Sequence, residues 1–169
     1  MNILIHDMED KQFQKLFSDF PDNICVIKDN KTIKSCTGCF GCWIKTPGKC
    51  VIKDGYENIG WLFSEAKKIT VITRCTYGCY SPFVKNVLDR SLSYLLPSFE
   101  IINKETHHKQ RYVNSFAYSV YFYGENITES ERKTAEALVK SNAVNYHCTS
   151  FQCGFLSDIK LLGTEVKLN

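Results

Sequence analysis

The sequence predicts a three-layer α/β/α sandwich, with one five-stranded parallel sheet in the order 2-1-3-4-5 between two layers of helices. Two observations lead to this prediction. Short apolar segments alternate along the chain with longer segments in which apolar residues recur every three or four positions, the pattern of strands followed by helices. The chain has 169 residues, which is enough for one domain of this kind with a substantial core.

The first part of the chain contains two predicted strands, a helix and an irregular insertion. Residues 2–6 are a short apolar strand, and residues 8–20 are a helix with its apolar side chains on one stripe and Pro21 as its stop signal. Residues 23–28 are the second strand. Residues 35–50 are rich in glycine and cysteine, so we predict an irregular, cysteine-rich insertion there.

Helix-capping signals organise the remainder of the chain. Asp54 and Glu57 resemble a capping box that opens a helix. Ser81 is suited to an N-cap before the first-turn proline. Thr128 and Glu131 resemble a second capping box. The predicted elements are a helix over 55–67, a strand over 69–73, a helix over 82–95, a strand over 113–122, a helix over 129–144 and a strand over 147–155.

Composition limits the classes of function. We expect a single domain over residues 1–155 and a loosely held tail over residues 156–169. The net charge of +3 is too small to indicate a nucleic-acid partner. No apolar run approaches the roughly 20 residues that span a bilayer, and the N-terminus does not have the pattern of a signal peptide, so we predict a cytoplasmic protein without a membrane partner.

The cysteine-rich insertion carries the strongest chemical signal. Cys36, Cys39 and Cys42 form a C-x2-C-x2-C run, and Cys50 follows at short range. Thiolates select soft metals, and this spacing is one that bacterial ferredoxins use around an iron–sulfur cube. We therefore predict a [4Fe–4S] cluster at these four residues, with structural zinc or no metal as the alternatives.

Two motifs together resemble a known family. The first is the cysteine run. The second is Tyr77, Ser81, Lys85, Asp89 and Arg90, at a spacing similar to the family's S-x-x-x-K-x-x-x-D-R pattern. On these residues the chain resembles the flavodoxin-like NADPH-dependent FMN reductase superfamily, especially its iron–sulfur flavoprotein branch, over about residues 1–150. We interpret the last three residues of the second motif as a structural ion pair or as helix packing.

The resemblance implies a flavin-dependent redox protein. It would bind FMN beyond the carboxyl ends of the strands, and the cysteine insertion would open at that same end. The residues expected to hold the flavin are Arg74, Cys75, Thr76, Tyr77, Gly78, Ser81, Tyr123, Gly124 and Asn126. Electrons would pass from a reduced nicotinamide or ferredoxin to a small-molecule or protein acceptor. The resemblance also implies a homodimer or tetramer, with segment 97–112 as a candidate contact.

The loop after the first strand departs from the family pattern. Relatives place a turn rich in glycine, serine and arginine there, whereas this chain has His6-Asp7-Met8-Glu9-Asp10. A carboxylate about 4 Å from a phosphate costs on the order of 4 kcal/mol, and a helix terminus returns only about 0.3–1 kcal/mol. An alternative function follows, namely a non-catalytic module that has lost FMN binding and uses its cysteines for metal binding or redox sensing.

Overall fold

The computed structural model describes residues 1–17, 20–21 and 23–162. In chain order the elements are β1 (Asn2–His6), α1 (Asp10–Leu16), β2 (Ile24–Lys28), α2 (Gly41–Ile44), α3 (Ile59–Ser64), β3 (Lys68–Arg74), α4 (Pro82–Arg90), a 3₁₀ helix (Ser91–Tyr94), β4 (Leu95–Ile102), β5 (Glu105–Gln110), β6 (Ala117–Tyr123), α5 (Glu129–Asn145), β7 (Ser150–Leu156) and a second 3₁₀ helix (Ile159–Leu161). The main sheet has the order β2-β1-β3-β6-β7, and its neighbouring strands are all parallel. This confirms the predicted order, with β6 and β7 as the fourth and fifth strands.

The side chains of each strand alternate between two cores, because successive residues of a strand point to opposite faces. Ile3 and Ile5 belong to the larger core, which α3, α4 and α5 cover. Leu4 belongs to a smaller core on the other face, together with Met8 and the buried Leu162. Three layers result, and the carboxyl ends of all five strands of the main sheet lie at one edge.

Two of the predicted capping signals are confirmed. The Ser81 side chain accepts a hydrogen bond from the backbone of Val84, and Pro82 lies in the first turn of α4. Thr128 and Glu131 form a reciprocal capping box at the start of α5. These caps fix where both helices begin, close to the carboxyl edge of the sheet.

Several predicted helix boundaries are wrong. Helix α1 ends at Leu16 rather than at residue 20, although residues 18 and 19 lie outside the described part of the chain. Helix α3 begins at Ile59 rather than at residue 55, because the Asp54 carboxylate binds the Arg90 guanidinium and does not cap the helix. The helix predicted over 82–95 changes to 3₁₀ geometry after Arg90.

The sequence did not predict the antiparallel hairpin of β4 and β5. Its two strands meet at a tight turn in which Asn103 and Lys104 both have positive φ angles, 52° and 70°. Such turns match the twist of a hairpin and favour asparagine, which is the signal that the sequence offered. Strand β6 begins at Ala117, four residues later than predicted, because the chain first leaves this hairpin.

The described part of the C-terminal segment packs onto the sheet. Strand β7 continues to Leu156, and Asp158 then caps a short 3₁₀ helix through a hydrogen bond from the backbone of Lys160. The predicted tail continues over residues 163–169, which lie outside the described part of the chain. Within the described residues, no helix has both the length and the apolar character needed to cross a membrane.

Candidate functional site

A cleft of about 780 Å³ lies at the carboxyl edge of the main sheet. Arg74 and Cys75 reach it from the end of β3, and residues 123–125 reach it from the end of β6. Residues 157–160 line it after β7, and Gln12 lines it from α1. The volume lies within the range of small-molecule sites, and the position is the one where open parallel sheets bind ligands.

Asp7 joins three strands next to this cleft. Its Oδ2 accepts a hydrogen bond from the backbone N–H of Arg74 at 2.8 Å and from the hydroxyl of Thr73 at 3.1 Å. Its Oδ1 accepts from the hydroxyl of Tyr123 at 2.8 Å. We call these contacts the Asp7 network. One carboxylate thereby holds the ends of β1, β3 and β6 in a fixed relation.

The Asp7 network also sets the state of Tyr123. Burial raises the pKa of the Tyr123 hydroxyl well above its usual value, and the neighbouring charge of Asp7 and the hydrogen bond to it raise that pKa further. The phenol is therefore neutral and donates its proton to Asp7 at physiological pH. Tyr123 thus presents a fixed, uncharged aromatic ring at the cleft.

His6 lies directly before this network and is fully buried. Its Nδ1 accepts a hydrogen bond from the backbone of Met8, and its ring stacks on Phe13 at a centroid distance of 4.4 Å. Among the described residues, its Nε2 has no hydrogen-bond partner. Burial lowers the pKa of His6 from 6.5 to about 4, so the imidazole is neutral at physiological pH.

Of the nine residues predicted to hold a flavin, four line the cleft in the structure. Arg74, Cys75, Tyr123 and Gly124 line the cleft together. The other five are not among the described residues that line it. Those five are Thr76, Tyr77, Gly78, Ser81 and Asn126.

The Tyr77 turn lies against α5 instead of over the cleft. Tyr77 and Gly78 both have positive φ angles, 53° and 76°, and Thr76 and Cys79 exchange two backbone hydrogen bonds across the turn. A Cβ at Gly78 would lie 2.8 Å from the backbone oxygen of Glu131, so only glycine allows this close approach. The Tyr77 side chain is 89% exposed.

Sequence reasoning missed the contribution of the C-terminal segment to the cleft. Residues 157–160 were assigned to a tail, yet they form one wall of the cleft. A signal was present, because Asp158 follows a strand and is a typical N-cap residue. Gln12 was also missed, because its place on α1 does not by itself indicate a site.

The cysteine-rich insertion lies away from this cleft, contrary to the expectation that both share one edge. The indole N–H of Trp43 donates to the backbone oxygen of Leu95 at 3.0 Å, so α2 is held at the first residue of the hairpin. Cys36 lines a different cavity, of about 420 Å³, together with residues of α4 and α5 such as Lys85 and Leu138.

A buried ion pair fixes the ends of the insertion. The Arg90 guanidinium donates to both carboxylate oxygens of Asp54, at 2.8 and 3.0 Å, and to the backbone oxygens of Lys34 and Ile52. Arg90 is the last residue of α4, which starts at the carboxyl edge and runs back from it. The insertion is therefore held near the far end of α4. The interpretation of Arg90 as a structural ion-pair residue is confirmed.

The four thiols of the insertion are neighbours. Burial raises the pKa of Cys42, and charge on Cys50, Cys36 and Cys39 raises it further, so the four side chains are close enough to interact. The pKa of Cys39 is lowered by hydrogen bonds from the backbone of Gly41 and from Thr37. Among the described residues, no group of three or more His, Cys, Asp or Glu side chains is placed to hold a metal ion.

Comparison with known proteins supports the fold. No protein-family model and no curated protein matches the chain. An FMN-dependent NADH-azoreductase from Bacillus anthracis, solved in complex with FMN, superposes with a TM-score of 0.52 and 9% identity, over 91% of this chain and 85% of that one. The fold is flavodoxin-like.

Two further structures share this flavodoxin-like fold. A second azoreductase structure from Bacillus anthracis has a TM-score of 0.54 and 10% identity, over 98% of this chain and 90% of that one. An NAD(P)H:quinone oxidoreductase from Methanothermobacter marburgensis has a TM-score of 0.51 and 11% identity, over 92% and 86%. The TM-scores establish the flavodoxin-like fold. Because the identities are this low, the activity has to be argued from the site.

Proposed function

We propose that the protein is a flavin-dependent oxidoreductase that binds the flavin in the cleft at the carboxyl edge of the sheet. The cleft carries this proposal, because it brings Arg74, Cys75, Tyr123 and Gly124 together at the carboxyl edge, where open parallel sheets bind ligands. The names of the structural neighbours, FMN-dependent NADH-azoreductase and NAD(P)H:quinone oxidoreductase, support it. The electron donor would be a reduced nicotinamide, and a quinone-like small molecule is a suitable acceptor.

The residues of the cleft fit the ring system of a flavin. A bound flavin supplies a ring that accepts a hydride and passes electrons on. In the cleft, Tyr123 offers a rigid aromatic surface, because its hydroxyl is tied to Asp7. Arg74 provides a cation at the end of β3, suited to an electron-rich edge of the ring. Gly124 has no side chain, which would let the ring approach the backbone at this point.

The loop after β1 does not fit the phosphate of FMN. The donors at the ends of β3 and β6 already serve the Asp7 carboxylate. A second anion about 4 Å from that carboxylate would be repelled by on the order of 4 kcal/mol. We therefore derive no step through the FMN phosphate.

This misfit favours a second candidate function. In that case the protein is a non-catalytic flavodoxin-like module whose cysteines bind a metal or sense redox state. The neighbouring thiols of Cys36, Cys39, Cys42 and Cys50 would act there, with a [4Fe–4S] cluster or zinc as the ligand. Because their described arrangement does not form a metal site, we derive no step through a cluster. Iron, sulfide and zinc content of protein isolated under argon tests this candidate.

The flavin proposal is tested by adding FMN and, separately, riboflavin to the purified protein and following flavin fluorescence. We expect at least one of the two flavins to bind and its fluorescence to be quenched. Arg74→Gln should weaken that binding by about tenfold or more, because it removes a cation from the cleft. Reduction of a quinone by NADH in the presence of the bound flavin would then establish the activity.

Lys85→Gln is the matched control, since it removes a cation from the exposed side of α4 and outside the cleft. Flavin binding should be unchanged in this variant. If neither flavin binds the unmodified protein, the flavin proposal fails and the second candidate stands.

A further inference from the structure

We propose that this site selects a flavin without a phosphate group, such as riboflavin, over FMN, and that Asp7 determines this specificity. The inference rests on the proposed flavin-dependent function and deepens it by naming the class of ligand. Three observations carry it: the position of the Asp7 carboxylate, the hydrogen bonds that occupy both its oxygens, and the charges around it.

Asp7 lies at the point where the strand order of the sheet reverses. Strand β2 pairs with β1 on one side and β3 pairs with β1 on the other, and ligands of such sheets bind outside the carboxyl ends at this point. Asp7 directly follows β1, and its Oδ2 accepts from the backbone N–H of Arg74, the last residue of β3, at 2.8 Å. The carboxylate therefore bridges the two strands between which a phosphate would be bound.

The Asp7 network uses the donors that a phosphate would need. Backbone N–H and hydroxyl groups are typical phosphate ligands in proteins. Here the backbone of Arg74 and the hydroxyls of Thr73 and Tyr123 all donate to Asp7 instead. The Asp7 carboxylate thus takes the position and the hydrogen-bond donors that a bound phosphate would use.

The network is held in place by the start of α4. The Thr73 hydroxyl, which is fully buried, accepts a hydrogen bond from the backbone N–H of Ser81 at 2.9 Å. Ser81 in turn caps α4. Moving Asp7 aside to admit a phosphate would break its three hydrogen bonds, which are charge-assisted and therefore stronger than bonds between neutral groups.

Two lysines near the loop are paired with carboxylates of the chain, whereas the Arg74 side chain lies near the Tyr123 hydroxyl and lowers its pKa. Lys28 contacts Asp10, in the first turn of α1, at 2.8 Å. Lys31 contacts Asp29 at 2.9 Å and lies 4.0 Å from Glu9. The loop therefore places the carboxylates of Glu9 and Asp10 at the N-terminus of α1, where the helix dipole alone would favour an anion.

The rest of the cleft suits uncharged hydroxyl groups. Its described lining holds two cations, Arg74 and Lys160, and two carboxylates, Glu125 and Asp158, and Lys160 lies 3.8 Å from Asp158. Carboxylates accept hydrogen bonds from the hydroxyls of a ribityl chain, whereas they repel a phosphate. A phosphate-free flavin would offer the same ring and the same ribityl hydroxyls to these side chains and would avoid the repulsion at Asp7.

The experiment compares riboflavin and FMN by fluorescence quenching with the unmodified full chain. We expect riboflavin to bind about tenfold or more tightly than FMN. Because salt screens the repulsion between charges, higher ionic strength should narrow this ratio. If FMN binds as tightly as riboflavin, or more tightly, the inference is wrong while the flavin-dependent function stands. If neither binds, the flavin-dependent function itself is wrong.

Asp7→Asn is the decisive variant, because asparagine has the same shape and lacks the charge. Its amide oxygen can accept from Arg74 and Thr73 while its amide nitrogen donates to the Tyr123 hydroxyl. FMN should bind it about tenfold or more tightly than it binds the unmodified protein, with riboflavin binding changed by less than about threefold. Equal effects on both flavins would overturn the assignment of specificity to Asp7. Circular dichroism shows whether the variant is folded. If it is not, the double variant Glu9→Gln with Asp10→Asn, at exposed positions, should raise the affinity for FMN but not for riboflavin, to a smaller extent than Asp7→Asn. If the affinity for FMN does not rise selectively, the charge of this loop does not set the specificity.

Discussion

At the scale of single residues, the neighbours His6 and Asp7 lie in environments that favour different charge states. Asp7 has hydrogen-bond partners for both oxygens, at the ends of β3 and β6. His6 is buried against Phe13 and has a partner only at Nδ1 among the described residues. The carboxylate is stabilised where it lies, whereas the imidazole is stable there only while it is neutral.

The buried imidazole predicts a loss of stability in mild acid. The pKa of His6 is about 4 in the folded protein against an ordinary value of 6.5, so between these pH values the unfolded chain binds the proton and the folded chain does not. Folding stability due to this residue is therefore complete above pH 6.5 and decreases as the pH falls to 4, by about 3 kcal/mol in all.

Urea unfolding of the unmodified protein and of His6→Gln at pH 7 and at pH 4.5 measures this effect. Glutamine retains a hydrogen-bonding group but does not titrate, so the difference in stability between the two pH values should be smaller in the variant. An equal loss in both proteins would show that His6 does not control it.

At the scale of secondary-structure elements, the Arg90–Asp54 ion pair connects the cysteine-rich insertion to α4. Both side chains are almost completely buried, with exposures of 0% and 2%. Burial by itself raises the pKa of the Asp54 carboxyl, but the hydrogen bonds from Arg90 and from the backbone of Lys34 and Tyr56 outweigh it and lower that pKa to about 2. The pair is thus charged at physiological pH and positions both ends of the insertion.

Removing one partner of this pair should be strongly destabilising. Asp54→Asn leaves the Arg90 guanidinium buried without a compensating charge, which typically costs about 3–5 kcal/mol. Asp89→Asn is the matched control, because it breaks the exposed pair of Asp89 with Lys85 one turn away on α4 and should cost only about 0.3–0.5 kcal/mol. Urea unfolding at pH 7 measures both, and similar costs would contradict the structural role given to Arg90.

At the scale of the whole molecule, the hairpin of β4 and β5 stands outside the main sheet and exposes apolar side chains. Ile101 is 70% exposed and Phe99 is 58% exposed. An isolated two-stranded hairpin is marginally stable in water. Segment 97–112, which the resemblance suggested as a subunit contact, is this hairpin, so we keep the prediction of a homodimer or tetramer.

A single substitution on the hairpin tests this prediction. We expect light scattering during size-exclusion chromatography to give the mass of a dimer or tetramer for the unmodified protein, and a smaller mass for Ile101→Ser. Ile44→Ser is the control, since Ile44 is 77% exposed but belongs to α2. A monomeric mass for the unmodified protein would refute the prediction.

The elements that could be predicted are those whose causes are local. The five strands of the sheet follow from short apolar segments, and the starts of α4 and α5 follow from Ser81 and Thr128. The predictions failed where a distant residue intervenes. Asp54 resembles a helix cap in the sequence, but its carboxylate accepts hydrogen bonds from Arg90, which lies 36 residues away in the chain. The hairpin was missed because its short polar strand resembles a loop.

The sequence alone therefore predicted the order of the strands of the main sheet, and it named four of the residues that line the cleft at the carboxyl edge, Arg74, Cys75, Tyr123 and Gly124. The strands and the helix starts follow from short apolar segments and capping residues, which act over a few positions, and the four residues follow from the resemblance to a flavin-binding family. Only the tertiary structure decided that the cysteine-rich insertion lies away from that cleft and that the Asp7 carboxylate joins the ends of β3 and β6. Both depend on contacts between residues far apart in the chain, Arg90 with Asp54 and Asp7 with Tyr123, which no local pattern encodes.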